Sequence, residues 1–442
     1  MVFLMSNKNM EFKDSRIPWI GQIPKHWEIK RLKFILNERK ENNKPVKTDF
    51  ILSLTNEKGV IPYSEKGAHG NISKDDITGY KLAYPNDIIL NSMNVVIGSV
   101  GLSSYFGAIS PVYYALYSKE NSNIKFYNYI FQTSVFQNSL KGLGNGILEI
   151  RMRIPMSNLN NAFLPLPPLN EQEKIAEFLD KKCEIIDKRL NNLERKIKSL
   201  KEYKKSLISE CVTKGLNPKN MEFKDSGIPW ICQIPKHWKI SKIKYYFNFS
   251  SGLNITKENL IESGIPVISY GQIHSKENTG TFIKDSFFRF ISQDYLKNKK
   301  SLVNKGNFIF ADTSEDLDGA GNSVFVDLDL TMFAGYHTII LKNKCNFEFS
   351  KFLSYLFQTD LWRSQIRLAV SGVKVFSITK KILANCEILV PPLNEQKEIA
   401  EFLDKKCEKI DRLNENYTKQ IAALKEYKKS LIYECVTGKK EI

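Results

Sequence analysis

The chain has 442 residues, 42% of them hydrophobic, enough for more than one domain with ordinary packed cores. A formal net charge of +17, spread along the chain rather than gathered in a tail, points to a basic surface and a polyanionic partner, nucleic acid foremost. No apolar run approaches the ~18 residues of a membrane span. The N-terminus lacks the basic start of a secretory signal, and seven scattered cysteines without a CxxC pair favour reduced thiols in a cytoplasm over disulfides or zinc.

In chain order, the first recognisable block is NMEFKDSRIPWIGQIPKHWEI from Asn9, which returns from Asn220 as NMEFKDSGIPWICQIPKHWKI with 18 of 21 positions identical. A stretch from Lys30 to Leu166 follows, mixing short apolar runs with Gly, Pro, Asn and Ser; it predicts strands and turns, then helix around IKFYNYIFQTSVFQNSL. Next comes PPLNEQEKIAEFLDKKCEIID from Pro167, which recurs from Pro391 as PPLNEQKEIAEFLDKKCEKID. Between the second copies lies Ser241 to Val390, about thirteen residues longer and sharing little with its counterpart beyond turn-like signals. The organisation is constant, variable, constant, twice over. Duplication accounts for the constant blocks, whereas the divergent middles imply separate jobs on a shared frame.

The two PPLNEQ blocks each predict a long helix. The prolines stop what precedes, Asn170 suits an N-cap, and Glu171 and Glu173 suit the first turn. Ile186, Leu190, Leu193, Ile197, Leu200 and Leu207 follow heptad steps, broken by Lys204. Ile410, Tyr417, Ile421, Leu424 and Leu431 repeat most of that seam, with Asn414 at one position. Such a helix of about 40 residues would span about 60 Å. Its narrow apolar edge needs a partner, and its own duplicate is the obvious one. Gly215 and Pro218 suit the end of the first helix and the start of the second repeat. The expected fold is α+β, with two pseudo-two-fold-related domains separated by two long antiparallel coiled-coil helices, in the manner of a dumbbell. The expected segments are 1–168, 169–214, 215–392 and 393–442.

With two variable domains, each preceded by an IPWIGQIPKHW-like block and followed by a PPLNEQ helix, nearly the whole chain resembles a type I restriction-modification specificity subunit. The resemblance implies two target-recognition domains, each reading half of a bipartite double-stranded DNA site, with the helices fixing the gap. It implies docking of two methyltransferase subunits that methylate adenine, joined by motor and restriction subunits. The helix starts Asn170, Glu171, Gln172 and Asn394, Glu395, Gln396 fall where that family joins domain to helix, and are expected partner-facing positions. S-adenosylmethionine, ATP and magnesium are expected on the partners, with no cofactor and no catalysis in this chain.

The residues agree with that absence of chemistry. The Asn-Pro-Pro-aromatic loop of adenine methyltransferases and the GxxxxGK[ST] phosphate loop are both missing. GLGNG at Gly142 reads as a turn, and Asp75-Asp76 and Glu315-Asp316 as solvated turn carboxylates. His26 and His237, in the repeated IPKHW block, suggest packing, and Cys183, Cys407, Cys211 and Cys435 small apolar helix positions. DNA contact needs Lys or Arg for phosphates and Arg, Asn or Gln for base edges. The candidates are Asn91, Asn94, Lys141, Arg151 and Arg153 in the first variable region, and Arg363, Arg367, Lys374 and Lys380 in the second. A two-ended protein scaffold and a tandem RNA-binding module are the alternatives; the latter would more often carry RNP-type aromatic motifs, and none is seen.

Overall fold

The computed structural model describes residues 11–56, 58–67, 76–144, 153–344, 346–370, 372 and 375–442. The chain divides into two compact units, Met1–Glu194 with Thr418–Ile442, and Arg195–Tyr417. Each unit holds one α+β region and parts of both long helices.

In the first unit the repeated block forms a hairpin, Phe12–Asp14 against Gln22–Pro24, then the strand Glu28–Arg31. That strand pairs antiparallel with Phe163–Leu166, the last segment before the long helix. The two ends of the variable region are thereby drawn together beside the constant blocks. Its centre is an antiparallel sheet in the order Leu36–Arg39, Tyr113–Ser118, Ile88–Asn91, Val100–Leu102. Ile88 and Leu90 pack on the helix Ile124–Gln132 side with Phe126 and Ile130, while Ile89 packs on the other face with Leu52, Leu54 and Val60. Burial on both faces explains why this strand reads as an unbroken apolar run rather than an alternating one.

The second unit repeats the arrangement. Its sheet runs Phe247–Ser251, Thr338–Asn343, Phe308–Ala311, Ser323–Phe325, again antiparallel throughout. Phe308 and Phe310 face one core and Ile309 and Ala311 another. The variable stretches, expected to be unlike, are therefore one topology with different loops. A shared segment marks the equivalence: KFYNYIFQT from Lys125 matches KFLSYLFQT from Lys351. In both units this helix docks on the long helix through the same side chains. Lys125 and Tyr129 meet Asp180 at 2.8 and 2.7 Å, and Lys351 and Tyr355 meet Asp404 at 3.1 and 2.5 Å. Burial, and the carboxylate beside each ring, push both phenols above their ordinary range.

The long helices are Leu169–Lys214 and Leu393–Val436, of 46 and 44 residues. Asn170 is not the N-cap. The helix starts at Leu169, with Pro168 in the cap position two residues before Asn170, because the Pro168 carbonyl already accepts from the amides of Glu171 and Gln172. In the first unit Ile175, Leu179, Cys183, Ile186 and Leu190 of the first helix share a core with Leu431, Ile432, Cys435 and Val436 of the second. In the second unit Ile208, Cys211 and Val212 do so with Ile399, Leu403 and Cys407. Within each unit the helices run antiparallel. Lys428 spans the carboxylate of Asp187 at 2.7 and 2.8 Å in the first, and Lys204 that of Asp411 at 2.7 Å to each oxygen in the second. Lys428 is the duplicate of Lys204, and Asp187 of Asp411, so each unit makes the same cross-helix pair with the roles of the copies exchanged. Reciprocity of that kind is the mark of a self-complementary contact. Lys204, which interrupts the predicted seam, thus serves orientation rather than packing. Mid-helix Ile197, Leu200, Tyr417, Ile421 and Leu424 are only half-buried, because a two-helix pairing covers a single edge. Near the ends the helices also pack on the globular region, and Ile208 rather than Leu207 is the buried residue there.

Gly215 ends the first helix with φ +75°, the left-handed conformation that favours glycine, and its amide reaches the Cys211 carbonyl. Pro218 then opens the turn Pro218–Asn220 that leads into the second repeat.

Candidate nucleic-acid interface

The constant frame is closed by a latch at each helix start. Glu171 accepts from Trp27 Nε1 at 2.8 Å through one oxygen, and the other lies 2.8 Å from His26 Nε2. Glu395 does the same with Trp238 Nε1 at 2.9 Å and His237 Nε2 at 2.5 Å. Trp27 and Trp238 are buried, so the carboxylate satisfies an indole N–H that has lost water. This is why IPKHW and PPLNEQ occur together. Gln172 is buried as well, donating to the Pro167 carbonyl at 2.8 Å and accepting from the Asn123 amide at 2.8 Å. Gln396 donates to the Pro391 carbonyl at 2.6 Å. Expected as partner-facing, the two glutamines and two glutamates are committed within their own units instead; Asn170 and Asn394 are the exposed members of each motif.

Strand register separates the two ends of each sheet. In the first unit Leu36 lies opposite Ser118 at one end, and Asn91 opposite Tyr113 at the other. From the second end project the turn after Asn91 and the segment before Tyr113, joined where Ser92 N–H and Oγ donate to the Val112 carbonyl at 3.3 and 2.7 Å. Ile154 N–H then donates to the Ser92 carbonyl, which brings Arg153 alongside. Asn91 and Asn94 shape this turn: Asn91 Oδ1 accepts from the Met93 amide at 3.0 Å, and the Asn94 carbonyl from Ile97 and Ser99. Lys81 donates to the Tyr113 carbonyl at 2.9 Å; burial pushes its ammonium below the ordinary value, partly offset by Glu38. Lys141 is exposed in the turn Leu140–Leu143.

The second unit builds the same end from different chemistry. Asp312 N–H donates to the His337 carbonyl, and Ile378 N–H to the Asp312 carbonyl, matching the Ser92, Val112 and Ile154 contacts one for one. The side chains around this core are aromatic and imidazole. Tyr270 lies 5.6 Å from His337 and 6.4 Å from both His274 and Tyr336, centroid to centroid. Tyr270 and Tyr336 are each 41% exposed, which leaves ring surface free for a ligand. His337 has φ 53°, a conformation costly for a non-glycine residue, and its Nδ1 lies 2.9 Å from Asp312 Oδ1. His274 Nδ1 lies 3.1 Å from the Asn322 side-chain amide nitrogen and its Nε2 2.8 Å from the Thr313 carbonyl, contacts that fix the orientation of the ring.

Two expected DNA contacts are corrected here. All three guanidinium nitrogens of Arg363 donate inside the unit, to the Phe357 carbonyl, Asn322 Oδ1 and Gln358 Oε1, and burial lowers its pKa to about 10. Arg367 donates to the Asp318 carbonyl and to Asp360. Both brace the loop Asp312–Asn322 from beneath, because desolvated guanidinium groups find carbonyls and amides before solvent. Lys380 is exposed at the start of the helix Lys380–Asn385. Arg151 and Lys374 lie outside the described residues, as does Asp75. Asp76 caps its own turn through Thr78, and Asp316 accepts from the Gly319 amide, as turn carboxylates do. Among the described residues no group of three or more His, Cys, Asp or Glu could hold a metal ion, and no helix is long and apolar enough to cross a membrane. The Tyr270, His274, Tyr336 and His337 cluster lies outside the Lys, Arg, Asn and Gln types from which contacts are expected in the sequence. Its signal is present in SYGQIH and AGYH, each a tyrosine beside a glycine with a histidine four residues on or adjacent.

The family model described as type I restriction modification DNA specificity domain matches twice, over residues 24–198 and 235–423. The type I restriction enzyme MjaVIII specificity subunit of Methanocaldococcus jannaschii is 24% identical, over 95% of this chain and 94% of its own length. The putative MjaX specificity subunit of the same organism is 26% identical over 99% of both. Among solved structures, a chain of a type I R-M system, studied for complex assembly and conformational transition, has TM-score 0.69 at 15% identity, covering 95% of this chain and 99% of that one. The HsdS subunit of Thermoanaerobacter tengcongensis has TM-score 0.54 at 15% identity, covering 95% and 98%.

Proposed function

This chain belongs to the type I restriction-modification DNA specificity family, and we propose that its two units read two unlike DNA half-sites at a distance set by the paired helices. The observation that carries this reading is the matched end of the two sheets. The backbone contacts around Ser92 and Asp312 are equivalent, yet one loop set offers amides and cations and the other tyrosine rings and imidazoles. One scaffold with two chemistries is what two different targets require.

In the first unit Asn91, Asn94 and Arg153 are the groups we assign to base edges or phosphates, with Lys141 and Arg151 flanking the following segment. In the second, Tyr270, His274, Tyr336 and His337 are assigned to base contact, aromatic faces suiting the thymine methyl and stacked edges, and Lys374 and Lys380 to phosphate. Methylation of adenine and cleavage belong to partner subunits: two methyltransferase copies, with motor and restriction subunits added for cutting. S-adenosylmethionine, ATP and magnesium sit on those partners. The test is a map of methylated adenines in DNA from cells expressing the methyltransferase with this chain. Asn94→Ala with Arg153→Ala should relax or alter one half-site alone, and Tyr336→Ala with His337→Ala the other. A well-formed base contact is worth about 1–3 kcal/mol of discrimination. Loss of both half-sites together from either pair would contradict the assignment.

A further inference from the structure

The sheet ends opposite the reading loops carry a second matched feature. Immediately before Leu36 the chain makes the short turn Leu32–Phe34, and before Phe247 the turn Ile243–Tyr245. Phe34 and Tyr245 occupy equivalent positions and are 60% and 64% exposed, unusual for large aromatic side chains. Each is attended by cations in the same places. Lys33 Nζ lies 5.1 Å from the centre of the Phe34 ring, and Lys244 Nζ 5.2 Å from that of Tyr245. Lys119 donates to the Lys33 carbonyl at 2.6 Å, and Lys344 to the Lys244 carbonyl at 3.2 Å. Arg31 and Lys242 stand two residues before these lysines. In the first unit Phe34 borders an open groove of about 670 Å³, lined also by Ile29, Arg31, Phe163 and Leu166.

Lys119 and Lys344 lie in the variable regions, outside the duplicated blocks, yet stand in the same place. The end that differs between units faces unlike targets, and the end that stays alike has to face the same one twice. Phosphate alone would reward the lysines but not an exposed ring. An apolar pocket rimmed by carboxylates would reward both, the ring by burial and the lysines by charge pairing at the rim.

We propose that Phe34 and Tyr245, each with its two lysines, are equivalent docking knuckles for one acidic-rimmed protein partner bound in two copies, the methyltransferase subunit. This rests on the reading above that such subunits assemble on this chain.

The probe is the purified methyltransferase subunit of the same system, titrated onto the full chain, with stoichiometry read by native mass spectrometry and affinity by calorimetry. Duplex DNA binding by the chain is measured in parallel. Wild type should take two copies. Phe34→Ala and Tyr245→Ala should each weaken one site by about tenfold or more, the range of an interface aromatic anchor, and the double variant should weaken both. Tyr245→Phe should bind as wild type, and DNA affinity should stay within about twofold in all variants. Two copies bound by the double variant at wild-type affinity would overturn the proposal. So would loss of DNA binding, with or without loss of the partner, since that would make the knuckle a nucleic-acid contact. If wild type itself binds no methyltransferase subunit, the specificity-subunit reading fails first, an outcome distinct from failure of the knuckle alone.

Discussion

Glu171→Ala removes the acceptor on which the first unit's constant frame closes. Its carboxylate satisfies Trp27 Nε1 at 2.8 Å, and Trp27 is 2% exposed, so the substitution strands a donor on a buried ring. Stranding a buried donor costs about 1–3 kcal/mol, and the charged acceptor places this one in the upper part of that range. The His26 contact is half-exposed and adds less than about 1 kcal/mol. A total near 2–3 kcal/mol shifts a urea midpoint by about 1 M when the slope is about 2–3 kcal/mol per M. Tryptophan fluorescence is the assay, since Trp27 itself reports the change. Glu171→Gln keeps an oxygen in place and should recover most of the loss. Glu395→Ala should act likewise through Trp238, and the two costs should add, because they share no partners. A Glu171→Ala midpoint within about 0.2 M of wild type would refute the reasoning.

Reversing one cross-helix pair, Lys428→Asp with Asp187→Lys, should restore a stability that Lys428→Asp alone lowers by about 1 kcal/mol, as read by a double-mutant cycle in thermal unfolding. A coupling indistinguishable from zero would deny the pair its role in orientation. In a Cys345→Ser background, a maleimide should label exposed Cys232 in the native chain and spare Cys183, Cys211, Cys386, Cys407 and Cys435 until denaturation. Burial pushes the Cys211 and Cys407 thiols up to about 11 and those of Cys386 and Cys435 to about 12, so access and thiolate fraction act together. Rapid native labelling of more than one thiol would contradict those cores.

The duplicated frame and its helices were readable in the residues because they depend on local spacing. Heptad steps need no tertiary information, and Gly215 and Pro218 punctuate where they stand. What lay beyond reach depended on non-local register. The likeness of the variable regions hides in sheet order, since Ser92 and Asp312 share a role without sharing a side chain. KFYNYIFQT and KFLSYLFQT were visible and would have revealed it. The helix start lies two positions before Asn170, at Pro168, because a proline carbonyl can open a helix as well as an asparagine can cap it. Arg363 and Arg367 read as outward charges in the sequence, yet a guanidinium surrounded by carbonyls is as stable inward. Glu171 and Gln172 turned out to hold the frame because their partners, Trp27 and Asn123, come from far along the chain. The aromatic cluster around Tyr270 is assembled from two distant segments, so neither segment alone marks it as a binding surface.

Insertion of one heptad at Glu194–Arg195 in the first helix and one at Tyr417–Thr418 in the second tests the division of labour most directly, with methylated adenines mapped in genomic DNA. Seven residues lengthen a helix by about 10 Å, or roughly three base pairs at 3.4 Å each. The account predicts that the gap grows by about three base pairs while the letters of both half-sites stay the same. An unchanged gap, or altered half-site letters, would contradict it.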